Sequence, residues 1–226
     1  MENVDSPDAV HPVLEGRKEG SAELADVVRR LIELTTATTA PEEVTRAAAR
    51  ELHALADVLE GHVPDPPLPK TFLHPPAEGP VDLAGRMPFD VVVGAHNPLA
   101  LPLEVSLEPP KSVLRGVFTR PYEGPPGCVH GAVIAASFDV VLAAANVIAK
   151  APGPTARLEI TYRRPTLLHT PCVFEGWVEQ QNGRSVRTVG RLMQNGRVTV
   201  EAAGDFVKLD QEQLARMAGR ARDSLS

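Results

Sequence analysis

Apolar residues recur at threes and fours in two stretches near the N-terminus. Leu24, Val27, Val28, Leu31 and Leu34 form one stripe, and Val44, Ala48, Leu52, Leu55 and Leu59 form a second. That spacing places each set on one face of a helix. The β-branched run TTATT at residues 35–39 is expected to break the first helix. Pro41-Glu42-Glu43 suits the start of the second, with proline in the first turn and acids at the positive end of the dipole. Gly61 stops it. Residues 63–80, VPDPPLPKTFLHPPAEGP, are too rich in proline for helix or sheet and read as an extended linker or strap.

From residue 88 the period changes. Residues 103–107 and 113–119 are short strand candidates. Residues 129–148 form a nearly all-apolar run of helical length. Four further strand patterns cover 155–163, 171–180, 184–193 and 197–208. Alternation assigns Ala156, Leu158, Ile160 and Tyr162 to one face, and Thr155, Arg157, Glu159, Thr161 and Arg163 to the other. Gln181-Asn182-Gly183-Arg184 and Gln194-Asn195-Gly196-Arg197 separate three of these segments. Asn-Gly between strands signals a type I′ hairpin, because both central residues need positive φ. The sum is an α+β domain, one long helix on an antiparallel sheet of five or six strands. The organisation expected is a disordered tail at 1–20, a helical extension at 21–62, a Pro-rich linker at 63–87, the α+β domain at 88–210 and a helical tail at 211–226.

Composition narrows the function classes. The 226 residues include 22 prolines, and 43% are hydrophobic. Net charge is −6, which gives no electrostatic reason to expect nucleic acid or an anionic membrane. No membrane span and no signal peptide are expected, so the predicted location is cytoplasmic. Cys128 and Cys172 make no CxxC pair and read as reduced apolar residues. The seven histidines show no HExxH or paired Cys/His spacing, so neither a metal nor a cofactor is expected.

One residue does not fit a core helix. Asp139 lies in the middle of the apolar run, with no Lys or Arg between His130 and Val147. At 100° per residue, Ala132, Ala135, Ala136, Ala143 and Asn146 fall within about 60° of it, so the acid is expected on a buried stripe of small residues. Such a carboxylate is either a structural group paired at an interface or a base or nucleophile in a narrow slot. The helix start adds a second group. Around Gly127, His130 and Gly131, backbone N–H groups lack intrahelical partners and favour a polarised carbonyl oxygen.

The segment Pro126-Gly127-x-Val129-His130-Gly131-Ala132-Val133-Ile134-Ala135-Ala136-x-x-Asp139 resembles the PG-x-VHGG-x-I-A-x-x-x-D signature of hotdog-fold acyl-CoA thioesterases, of the phenylacetate-pathway type. Thr155-Ala156-x-Leu158-x-Ile160-x-Tyr162-x-Arg164-Pro165 resembles a strand of the same family, and Ala202 with Phe206 to Leu209 resembles its closing strand. The resemblance covers about residues 90–209. It implies a hotdog fold, with a long central helix wrapped by the sheet. It also implies a homodimer or dimer of dimers with active sites at the subunit interface and an acyl-CoA substrate, fatty or aromatic. By the same resemblance, Gly131 N–H polarises the thioester carbonyl, Asp139 is general base or nucleophile, His130 shapes the site, and Thr155 arrives from the partner subunit. Gly127, Ala132, Ala136, Asn146 and Arg157 are the corresponding substrate-binding candidates. Ala132 departs from the family, which has a second glycine there, and its methyl narrows the approach to the carbonyl.

Other readings stay open at this point. Arg163 and Arg164 could meet CoA phosphates or be a solvated strand end. Cys128 as a thiol nucleophile lacks a base and an orienting group. A non-catalytic acyl-CoA sensor would use its N-terminal helices on DNA, but residues 22–60 hold eight acids against four arginines. A dehydratase would need a second proton-transfer group on the helix.

Overall fold

The computed structural model describes residues 11–65, 83–210, 212–213 and 216. Most of the expected linker and C-terminal tail, and the first ten residues, lie outside them. Two long helices open the chain, α1 at Lys18–Ala37 and α2 at Glu42–Glu60, followed by the short α3 at Leu83–Arg86. Strands β1 (Leu103–Glu108) and β2 (Lys111–Gly116) precede helix α4 (Gly131–Ile148). Strands β3 (Thr155–Tyr162), β4 (Cys172–Asn182), β5 (Ser185–Gln194) and β6 (Arg197–Val207) follow it. They form one antiparallel sheet in the order β1-β2-β4-β5-β6-β3, the hotdog arrangement with α4 packed along one face.

Several boundaries moved for local reasons. Helix α1 runs through Thr35 and Thr36, because their hydroxyls donate back to the carbonyls of Ile32 and Glu33 and keep the last turn closed. It also starts at Lys18, so residues 18–20 are helical. Helix α4 starts at Gly131, because Val129 is held outside it, its N–H on the Thr166 carbonyl. Of the two Asn-Gly turns, only Asn195-Gly196 has positive φ at both residues, 50° and 72°. At the other, Asn182 still pairs with Ser185, and the loop is Gly183-Arg184 with Gly183 at φ 57°. Glycine at the first central position suits a II′ turn.

A cross-strand row of small residues lets α4 approach the sheet. Ser112, Gly176, Gly190 and Ala202 are register partners across β2, β4, β5 and β6. A Cβ on Gly176 would lie 2.8 Å from the Val141 carbonyl of α4. Ser112 Oγ donates to that same carbonyl at 2.5 Å and is fully buried. Around this contact, Ile134, Phe138, Val141 and Leu142 of α4 pack on Leu114, Phe174, Leu192, Val200 and Phe206. Phe138 meets Phe174 edge to face, with centroids 5.2 Å apart. Helix α4 has the length and apolar composition of a membrane-crossing helix. All six strands approach it here, so that composition serves the core.

The opposite face of the sheet is charged. Glu175 pairs with Lys111 and Arg191, and Arg187 with Asp205 and Glu159. Lys111 and Arg191 also flank the Trp177 ring. Phe174 and Trp177 are both sheet-packing residues, one on each face. Cys128 and Cys172 are free thiols, and burial pushes the Cys172 thiol up to about 12.

The N-terminal helices differ in how they attach. Arg29 of α1 donates to the carbonyls of Gly94, Ala95 and Asn97, and Glu33 accepts from Thr119 Oγ1 at 2.6 Å. Helix α2 has no buried residue, and Val44, Leu52, Leu55 and Leu59 remain exposed.

A knotted turn leads into α4. Glu123 Oε1 accepts the Gly127 N–H at 2.7 Å, while Glu123 Oε2 takes Arg120 Nη1 at 2.8 Å. Gly127 adopts φ 72°, in the left-handed region that favours glycine. The Gly127 N–H, and then Arg120, hold the Glu123 carboxyl below the usual carboxylate range.

Three outcomes follow from this architecture. Gly176→Ala drives a methyl into the α4 backbone and costs about 1–3 kcal/mol in chemical denaturation. Leu52→Ala, on the uncovered face of α2, changes the stability of the single chain by less than about 0.5 kcal/mol in the same assay. Glu123→Gln lowers the melting temperature at neutral pH. A depressed folded pKa stabilises above the unfolded value near 4.5 and loses that contribution as pH falls through the folded value, so the gap to wild type narrows in acid melts.

Candidate active site

The tip of α4 is built by His130 and Gly131. His130 has extended backbone, φ −63° and ψ 135°, and caps the helix by accepting the Ala132 N–H on Nδ1 at 3.0 Å. A nitrogen that accepts carries no proton, so the ring's N–H lies on Nε2 in the neutral form. The His130 N–H is itself held by the Tyr122 carbonyl, and the His130 carbonyl receives Val133 and Ile134. The Gly131 N–H has no hydrogen-bond partner among the described residues. One donor at the positive end of the helix is therefore open, and its neighbour is occupied.

Asp139 lies eight residues further along the same helix. Thr155 Oγ1 donates to Asp139 Oδ1 at 2.7 Å. Two sequence expectations change here. Thr155 comes from the same chain as Asp139, not from a partner. It also faces the helix, although simple alternation placed it with Arg157 on the other side. The cause is a β-bulge: Thr155 pairs with Phe206 and Arg157 with Asp205, leaving Ala156 as the extra residue. A bulge shifts the alternation by one and re-aims the side chain before it.

Asp139 is half-buried on the single chain, not enclosed as the helix pattern suggested. It lies beside β3, one of the two edge strands, which has a strand neighbour on one side only. Ala135, Ala136 and Ala143 are half-buried with it, so the small stripe is a partly open slot.

The other candidates separate. Ala132 is exposed at the tip, and helical backbone accommodates its methyl. Gly127 is exposed in the turn before the tip. Asn146 is fully buried, its Oδ1 accepting from Thr188 Oγ1 at 2.5 Å, and its Nδ2 has no partner among the described residues. It belongs to the helix–sheet contact, not to the tip. Arg157 is exposed on β3 and paired with Glu159. Arg163 pairs with Glu201, and Arg164 donates to the Val198 carbonyl. Among the described residues no group of three or more His, Cys, Asp or Glu is placed to hold a metal ion.

Sequence reasoning overlooked two groups. Tyr162 Oη donates to the Gly131 carbonyl at 2.9 Å, so the far end of β3 also touches the helix. Glu123 locks the turn that delivers the tip. Tyr162 was visible only as a member of the strand pattern, on one face with Leu158 and Ile160, and Glu123 belonged to no pattern read from the sequence.

Comparison with known proteins agrees with this geometry. The family model described as the thioesterase superfamily matches residues 126–201, which span α4 and most of the sheet. The crystal structure of a thioesterase superfamily protein is 33% identical, with 83% of this chain and 94% of that chain covered and a TM-score of 0.69. Zebrafish thioesterase superfamily member 2 is 20% identical, with 48% and 82% covered and a TM-score of 0.45. The E. coli PaaI protein from the phenylacetic acid degradation operon is 13% identical, with 48% and 80% covered and a TM-score of 0.45. The curated proteins give no match. An open amide at the tip of a wrapped core helix, a carboxylate two turns further on and a relative at this identity over nearly its whole length lead to one conclusion: the chain belongs to the thioesterase superfamily.

Proposed function

We propose that the protein hydrolyses acyl-CoA thioesters, and that each active site is shared between two copies of the chain. The observation that carries the second part is the spacing on α4. Gly131 and Asp139 are eight residues apart on one helix, so about 12 Å separates them along the axis. One carbonyl group cannot accept from the Gly131 N–H and receive a nucleophile held by Asp139 of the same chain. Two antiparallel copies joined at their β3 edges would bring the tip of one α4 beside Asp139 of the other. The half-buried stripe from Ala135 to Ala143 would then become covered, and a homodimer or dimer of dimers results.

The chemistry follows from the groups present. The Gly131 N–H polarises the thioester carbonyl and stabilises the oxyanion formed on attack. Asp139 serves as general base, taking a proton from water as the water oxygen bonds to the carbonyl carbon, or as the attacking nucleophile itself, in which case loss of CoA leaves a mixed anhydride on Asp139 that water hydrolyses to the free acid and the carboxylate. Thr155 holds Oδ1, fixing the rotamer and leaving Oδ2 for the water. Collapse of the intermediate breaks the C–S bond, and the CoA thiolate leaves with a proton. The acyl chain, fatty or aromatic, lies along Ala135, Ala136 and Ala143. The reading keeps the cytoplasmic location expected from the sequence.

Thiol release from a panel of acyl-CoAs tests the chemistry. Asp139→Asn reduces turnover by roughly a hundredfold or more. Wild type that binds every acyl-CoA and turns over none would make the chain a binder on a thioesterase scaffold. Ala132→Gly preserves or raises the rate, since it widens the approach to the open amide.

Mixing tests the shared site. Asp139→Asn and Gly131→Pro, each inactive alone, regain about a quarter of wild-type activity when co-expressed, because half of the dimers are mixed and each mixed dimer holds one intact site. A site within one chain gives no recovery.

A further inference from the structure

We infer that Tyr162 is a positioning residue for the carbonyl-polarising amide at the tip of α4. The inference rests on the thioesterase reading above. The Gly131–Ala132 peptide unit is gripped at both ends. Its C=O accepts from Tyr162 Oη at 2.9 Å, and its N–H donates to His130 Nδ1 at 3.0 Å. A peptide unit is rigid, so two bonds on opposite edges fix its plane and therefore ψ of Gly131. Gly131 is the residue least able to fix its own torsions, because it has no Cβ. The open Gly131 N–H belongs to the preceding His130–Gly131 unit, whose carbonyl is held by the Val133 and Ile134 N–H groups, so with the next plane fixed as well both planes that meet at Gly131 are set and the N–H keeps a single direction at the helix end. An oxyanion donor is effective only when it is aimed before the reaction begins.

The surroundings of the phenol support this role. A Cβ built on Gly131 would lie 3.0 Å from Tyr162 Oη and 3.3 Å from Cζ, so the ring end lies directly against the tip. Tyr162 is held in β3 by its pairing with Val200 of β6. Partial burial raises its phenol above the usual tyrosine range, so the hydroxyl stays a donor at neutral and mildly alkaline pH. Thr155, on the same strand, holds Asp139. One edge strand therefore orients both reactive positions of α4, one near each end of the strand.

Tyr162→Phe keeps the ring and removes only the donor. With the best acyl-CoA of the panel, kcat falls about tenfold while KM stays within about twofold and the melting temperature within about a degree. An unchanged kcat, or a loss tracked by a matching rise in KM or fall in melting temperature, overturns the inference. A second readout is independent of hydrolysis. In amide spectra of the full chain, Tyr162→Phe shifts the Gly131 and Ala132 resonances and speeds exchange of the Ala132 amide, leaving Val141 unmoved. Unchanged Gly131 and Ala132 amides overturn the inference. Wild type inactive on every thioester defeats the thioesterase reading alone, and the spectra still decide the role of Tyr162.

Discussion

The close contact between α4 and the middle of the sheet is the constraint on which the rest depends. Ser112, Gly176, Gly190 and Ala202 form a shallow trough across four strands, and the α4 backbone lies in it. The Ser112 hydroxyl anchors the Val141 carbonyl at the bottom. A neutral buried hydrogen bond contributes only about 1 kcal/mol. Its larger consequence is positional, because it fixes the depth of a helix whose other contacts are non-directional. Both candidate positions, the tip and Asp139, are carried on that helix, so its depth and rotation decide where they stand.

From that contact outward, the site is assembled by elements at the edge. The turn from Glu123 to His130 delivers the helix start, locked by a carboxylate on a backbone amide and a glycine with positive φ. Strand β3 lies last in the sheet and reaches α4 through Tyr162 and Thr155. Edge strands expose unpaired backbone groups and invite pairing with another chain. Here the edge also carries the residues that orient the chemistry, which links assembly to activity in the proposed mechanism. Among the described residues, the acidic N-terminal helices are joined to the domain through α1, by Arg29 and Glu33, and Thr119, the partner of Glu33, directly precedes the turn whose Tyr122 carbonyl holds the His130 N–H.

Much of this was legible in the chain. Apolar periodicity located α1 and α2, an apolar run of helical length located α4, and alternation with Asn-Gly turns located β4, β5 and β6, because those signals arise from burial on a fixed geometric repeat. The lone acid of an apolar helix and the His-Gly step before it picked out Asp139, His130 and Gly131 without coordinates. The cap role of His130 was not legible, since it depends on which ring nitrogen turns toward the Ala132 amide. The expected break fell within TTATT, at Thr38 and not at Thr35, because the Thr35 and Thr36 hydroxyls bond back within the helix.

What the sequence determined by itself was the main helices and strands of the domain and the candidate groups for its chemistry, because both depend on residue type and short-range spacing. Tertiary structure alone decided which groups meet. The bulge at Ala156 turned Thr155 onto Asp139, and bulges leave no mark in an alternating pattern. The register of β3 on β6 brought Tyr162 to Gly131, a pairing between positions 31 residues apart. The place of β3 at the sheet edge left Asp139 half-open, where the apolar helix alone suggested full burial. In each case the deciding quantity is the relative placement of segments far apart in the chain, which no local pattern encodes.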